Sequence, residues 1–199
     1  MDPSRLARVV VVGTSCSGKT TLARSLSRAL DVPHVELDAL HWGPNWTPRP
    51  LDDFRARVET AIASPAWVID GNYSRVRALV WQRATALVWL NYSFARVYSR
   101  AVSRTFRRVL TQEELYSGNR ESLRQVLERD SILWWVLRTF WRRRREYPAL
   151  LKEPGYAHLQ ILEFTEPRQT ERFLAACAVR PAPALSSAPS EARSSPSPR

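Results

Sequence analysis

At 199 residues and 22.9 kDa, with 44% hydrophobic and 25% charged residues, the chain can bury the core of one domain, with room for a small subdomain. That composition excludes an acidic or low-complexity disordered chain, and having only two cysteines, Cys16 and Cys177, excludes a disulfide scaffold. The formal charge of +11 suits a polyanionic partner or a triphosphate, yet arginine supplies 28 of the 30 basic residues, a bias that genomic codon composition also produces.

Arg8 to Val12 reads as a short buried strand, because its β-branched run shows no polar alternation. It leads into Gly13-Thr14-Ser15-Cys16-Ser17-Gly18-Lys19-Thr20-Thr21, after which Leu22, Ala23, Leu26 and Leu30 recur at helical spacing. Val32 to Leu37 is a second strand, ending at Asp38. The stretch from His41 to Pro50 is too rich in proline and tryptophan for a regular element, and Leu51, Phe54, Val58 and Ile62 then share a helix face. Trp67 to Asp70 and Ala86 to Leu90 are further strands, so helix and strand alternate as in a parallel α/β sheet.

Phe94 to Val109 reads as a long helix with Tyr98, Val102, Phe106 and Val109 as its apolar stripe and Arg96, Arg100, Arg104 and Arg108 opposite. Thr111 to Asn119 is a polar excursion, followed by a short helix at about 120–129. Ile132 to Trp141 is a tryptophan-rich helix ending in Arg142 to Arg145, with Pro148 and Pro154-Gly155 as stops. Trp134, Trp135 and Trp141 are expected to pack on the sheet or a partner subunit; a membrane-surface or nucleic-acid role is the alternative. Leu159 to Phe164 is a last strand and Glu171 to Val179 a last helix. Residues 180–199, rich in Pro, Ser and Ala, are expected to be disordered. With no apolar run of 18 residues and no signal-peptide pattern, a cytoplasmic location is expected.

The segment Gly13-x-x-x-x-Gly18-Lys19-Thr20, between a buried strand and a helix, is the context that a phosphate-binding loop requires. Its backbone amides and the helix N-terminus can surround a phosphate. Lys19 can reach the outer phosphates, and the Thr20 hydroxyl suits Mg²⁺. Asp70, at the carboxyl end of a buried strand, is the expected second metal-linked group. Asp38 is placed to orient an acceptor hydroxyl or act as base towards it, with His41 nearby. Arginines at steps of four repel one another, so that helix face is either solvated or meant for an anion. Its place after the fourth strand favours contact with a transferring phosphoryl group by Arg100 and Arg104, with Arg120 from the following segment.

These stretches, together with Leu37 to Trp42, Trp67 to Tyr73 and Gly118 to Ser122, resemble the adenylate-kinase-like branch of the P-loop nucleoside and small-molecule kinases. Within that branch the resemblance is to bacterial DNA topology modulation or FlaR-related proteins. It implies a three-layer α/β/α fold whose five-stranded parallel sheet has the order 2-3-1-4-5, with ATP, Mg²⁺ and a short helical lid bearing arginines. The implied domain spans 1–179, with an acceptor-binding insert at about 39–63 and the lid at about 108–122. Where adenylate kinases continue after the strand-three glycine with Phe-Pro-Arg, this chain reads Asn72-Tyr73-Ser74-Arg75, and Trp42 and Trp46 stand where AMP-binding elements are expected. The acceptor is therefore expected to be another small molecule, held by Asp38, His41, Trp42, Tyr73 and Arg75. The alternative is a nucleic-acid-associated NTPase or regulatory protein. The chain suits either a monomer or a homodimer.

Overall fold

Consecutive valines with alternating side chains give β1 (Arg8–Gly13) two apolar faces, and both are covered. The computed structural model describes residues 6–111, 114–119 and 131–178. After β1 come α1 (Lys19–Leu30), β2 (His34–Glu36), α2 (Leu37–His41), α3 (Leu51–Ala61), β3 (Trp67–Asp70), α4 (Ser74–Arg83), β4 (Ala86–Leu90) and α5 (Phe94–Thr111). Then follow α6 (Ile132–Leu150), β5 (Gln160–Phe164) and α7 (Pro167–Ala178). The strands form one parallel sheet in the order β2-β3-β1-β4-β5, as expected for a P-loop fold of three α/β/α layers.

Val9 and Val11 face a core shared with Leu22 and Leu26 of α1, Val97 and Ala101 of α5, Phe140 of α6 and Phe173 of α7. Val10 and Val12 face Phe54 and Val58 of α3, Val76 and Val80 of α4, and Tyr147 of α6. Pinned centrally between β3 and β4, β1 carries its C-terminal loop to the edge where ligands sit in such sheets.

Several sequence expectations are corrected. Strand two is shorter than expected, and Asp38 lies in the first turn of α2 rather than at a strand end. In α5 the buried residues are Val97, Ala101 and Thr105, one step away from the expected stripe; Tyr98 is half-buried and Phe106 is exposed. The small side chains of Ala101 and Thr105 let the helix sit close to the core, which turns Arg100 and Arg104 towards the sheet's carboxyl edge. Pro148 does not end α6, because it falls in the last turn, where one backbone bond is lost on an exposed side. Trp134, Trp135 and Trp141 do not pack on the sheet either, since Val136, Phe140 and Tyr147 take the buried face of α6. Arg120, the expected helix at about 120–129 and the 180–199 tail lie outside the described residues. No helix among the described residues is long and apolar enough to cross a membrane.

Candidate functional site

The loop after β1 owes its path to two glycines. A Cβ on Gly13 would stand 2.7 Å from the Leu90 carbonyl oxygen and 2.9 Å from Ser17 Oγ. Gly18, at φ 97°, provides the left-handed residue that starts α1 without any side-chain cap, so the first amides of the helix remain available to an anion. Cys16 also takes a positive φ, and the Ser17 amide closes the turn on the Thr14 carbonyl at 3.1 Å. Asn72, just past β3, holds the loop at its root: its Oδ1 accepts from the Gly13 amide, its Nδ2 donates to the Gly13 carbonyl, and Tyr147 donates to its Oδ1 at 2.9 Å.

Lys19 is half-buried, and its Nζ turns back to the Thr14 carbonyl at 3.2 Å. Burial first, and the Arg143 guanidinium second, push its pKa down to about 8, against the pull of Asp38 and Asp70. Two cations pressed together in a low-dielectric cleft make a site short of negative charge. Arg143, on α6, donates to the Gly13 carbonyl at 3.4 Å, and burial lowers its own pKa. Sequence reasoning missed Arg143 because it lies within a run of four arginines, only one of which turns inward enough to reach the loop.

The Thr20 hydroxyl donates to Asp70 Oδ2 at 2.6 Å, and His34 Nε2 meets Asp70 Oδ1 at 2.9 Å. These are the oxygen donors that could hold a divalent cation. Among the described residues no group of three His, Cys, Asp or Glu side chains converges on a metal site. His34 was not anticipated, since its role becomes visible only when β2 pairs with β3 in the register that sets it opposite Val68, from where its side chain reaches Asp70.

Arg100 reaches the Ser17 carbonyl at 2.9 Å and lies over the Tyr92 ring at 5.4 Å. Arg104 has a buried Nε with no partner among the described residues. Both line the cleft from the packed part of α5, so they are carried by a core helix rather than by a separate lid. Arg96 is exposed, and Arg108 lies at the cleft wall.

Beyond the loop the cleft, about 1860 Å³ in volume, continues into a region walled by aromatic rings. His41 lies 4.6 Å from Tyr73, 4.7 Å from Trp42 and 5.0 Å from Phe54, centroid to centroid. Tyr73 donates to Asp38 Oδ1 at 2.6 Å; burial and the neighbouring carboxylate hold its pKa far above the usual phenol range. His41 is kept below the ordinary imidazole range by burial, and its Nδ1 has no partner among the described residues. Arg75, in the first turn of α4, is exposed at the cleft wall. The structure thus brings Asp38, His41, Trp42, Tyr73 and Arg75 to one region, next to Lys19 and Asp70.

One cover of this region falls within the segment expected at about 108–122. Residues 114–119 dock on the insert after β2: Tyr116 donates to Glu36 at 2.7 Å and Ser117 to the Trp42 carbonyl at 2.9 Å. Asn119 bonds the Gly43 carbonyl at 2.9 Å and accepts from the Trp46 amide at 2.9 Å.

Among solved structures, the chain is similar to shikimate kinase from Bacteroides thetaiotaomicron, at 17% identity over 85% of this chain and 95% of that one, with a TM-score of 0.50. The likeness is one of fold: a three-layer α/β/α P-loop architecture with the sheet order 2-3-1-4-5. A gluconokinase from Sinorhizobium meliloti (20% identity, 87% and 94% coverage, TM-score 0.46) and a sugar kinase from Janibacter sp. (20%, 87% and 98%, 0.45) also match. No family model and no curated protein sequence matches the chain. The first of these structures is a shikimate kinase rather than a protein of the DNA topology modulation or FlaR type, and this corrects the narrower resemblance drawn from the sequence.

Proposed function

We propose that this protein is an ATP-dependent small-molecule kinase that transfers the γ-phosphoryl group of ATP·Mg²⁺ to a hydroxyl of a compact acceptor. The observation that carries the reading is the Thr20–Asp70 bond of 2.6 Å beside the half-buried Lys19, a paired cation ligand and phosphate clamp at the mouth of one loop. The residues fit the nucleotide: open helix amides, a lysine and an arginine in need of negative charge, and two oxygen donors for the metal.

When bound, ATP·Mg²⁺ supplies the transferable phosphoryl group. The amides of Thr14 to Thr21 hold its phosphates, and Lys19, Arg143, Arg100 and Arg104 offset the charge that develops on the moving group. Thr20 and Asp70 hold the metal. Asp38, fixed through one oxygen by Tyr73, uses the other to align the acceptor hydroxyl and take its proton. The rings of His41, Trp42 and Phe54 exclude water from that hydroxyl's surroundings, so that transfer to water does not compete. Arg75 binds the acceptor's far side at the wall.

An ATP-consumption screen against small hydroxylated metabolites, nucleosides and nucleotides tests this, with Lys19→Ala as the blank. One acceptor should stimulate ADP formation sharply. Turnover unaffected by Lys19→Ala, or stimulated only by a nucleic-acid polymer, would defeat the reading.

A further inference from the structure

The outer face of α6 carries chemistry that the cleft does not use. Trp134, Arg138, Trp141 and Arg145 recur at steps of four, three and four residues, and so line one side of the helix opposite buried Val136, Phe140 and Tyr147. Trp134 is 49% exposed and Trp141 56%. α5 packs beside α6, with Phe94 stacked on Trp141 at 6.1 Å, and adds Phe106 at 63% and Leu110 at 82% exposure. Of the ten arginines on the two helices six line the cleft, leaving Arg96, Arg138, Arg144 and Arg145 away from it, and the one glutamate, Glu146, is paired with Arg142 at 3.6 Å. Among the described residues neither Arg138 nor Arg145 is paired with a carboxylate, and neither belongs to the phosphate-binding set.

We propose that this face docks on the surface of an anionic lipid bilayer, with the tryptophans and Phe106 and Leu110 entering the headgroup boundary and the arginines meeting lipid phosphates. Large apolar side chains interleaved with cations are the pattern of a helix lying in a membrane interface. Arginine stems extend along apolar surface while their heads stay at phosphate level. A second copy of the chain fits less well, since a two-fold contact would set this arginine-rich face against itself. Nucleic acid would match the arginines and stack on the rings, but gains nothing from the aliphatic Leu110 and Leu137. The helices lie on the bilayer, as none of those described can span it.

The test uses the full chain sedimented with phosphatidylcholine vesicles, with and without phosphatidylglycerol. Binding should require the acidic lipid, fall steeply with salt and shift tryptophan emission to the blue. Trp134→Ser with Trp141→Ser should weaken it about tenfold or more, and Arg138→Gln and Arg145→Gln about fivefold each, with the wild-type melting temperature kept. If the double tryptophan variant loses its fold, Leu110→Ser, a change in water, replaces it and should weaken binding as well. Absence of binding, equal binding to neutral vesicles, or binding that these variants leave intact overturns the proposal. So does a preference for duplex DNA in competition, or a dimer abolished by the tryptophan changes without any vesicle association.

Discussion

Thr20 on α1 and Asp70 at the end of β3 are joined through their side chains at 2.6 Å, although 50 residues separate them. Thr20 is set by the phosphate loop's exit and Asp70 by the pairing of β3 with β1, so their meeting follows from the sheet order.

In the proposed reaction this pair holds Mg²⁺. Asp70→Asn preserves the shape and the His34 contact but removes the charge. Turnover should fall by about a hundredfold, with the magnesium midpoint moving to higher concentration. Thr20→Ala added to Asp70→Asn should cost little more, because both act on one ion. A magnesium titration that superposes on wild type would remove Asp70 from the metal site.

Burying Lys19 trades stability for binding. Its folded pKa of about 8 lies below the ordinary 10.5, so the unfolded chain binds more protons between those values and stability rises with pH across that window. Below about pH 8 the full penalty is present, on the order of 3 kcal/mol before the bond to Thr14 offsets part of it. Lys19→Met should therefore abolish ATP turnover yet stabilise the ligand-free protein by about 1–3 kcal/mol at neutral pH, with the gain shrinking as pH rises from about 8 towards 10.5. Urea unfolding of both proteins at several pH values checks the sign. ATP affinity of the wild type should in turn weaken as pH rises through 8 and the amine loses its proton.

Tyr73 is proposed to act on Asp38 rather than on the acceptor. With its pKa raised by burial and Asp38, the phenol stays a neutral donor throughout the working range. Tyr73→Phe should lower kcat about tenfold while leaving the KM for ATP unchanged, whereas Asp38→Asn should lower kcat about a hundredfold or more. Equal losses in kcat and in ATP affinity for Tyr73→Phe would instead indicate a general packing defect.

The parts legible in the sequence were those written locally. The valine run, the glycine spacing and the strand-end position of Asp70 each follow from neighbouring residues, and helix–strand alternation pointed to a parallel sheet, while the strand order observed was implied by the family resemblance. What needed tertiary placement was missed. Of the arginines in α6, only the packing of Tyr147 and Phe140 decides that Arg143 reaches the loop. His34 looked like an ordinary strand residue until β2 lay against β3. The apolar stripe of α5 was misjudged because Ala101 and Thr105 bury well despite their low hydrophobicity, while Phe106 and Leu110 face outward.

Asn119 tests whether the 114–119 segment serves the acceptor region specifically. Its side chain is buried, donating to the Gly43 carbonyl at 2.9 Å and the Tyr116 carbonyl at 2.7 Å and accepting from the Trp46 amide at 2.9 Å. It thereby ties the segment to the insert that holds Trp42 and Trp46, on the side of the cleft away from the phosphate loop. Asn119→Ala leaves those backbone groups without their partner and should cost about 1–3 kcal/mol locally. Because the bonds lie on the insert, that loss should appear as a higher KM for the acceptor. ATP affinity, set by Lys19 and the loop amides, should stay within about twofold, since sites sharing no partners vary independently. Isothermal titration with ATP beside steady-state kinetics in the acceptor separates the two, and equal weakening of both would show that the segment supports the whole cleft.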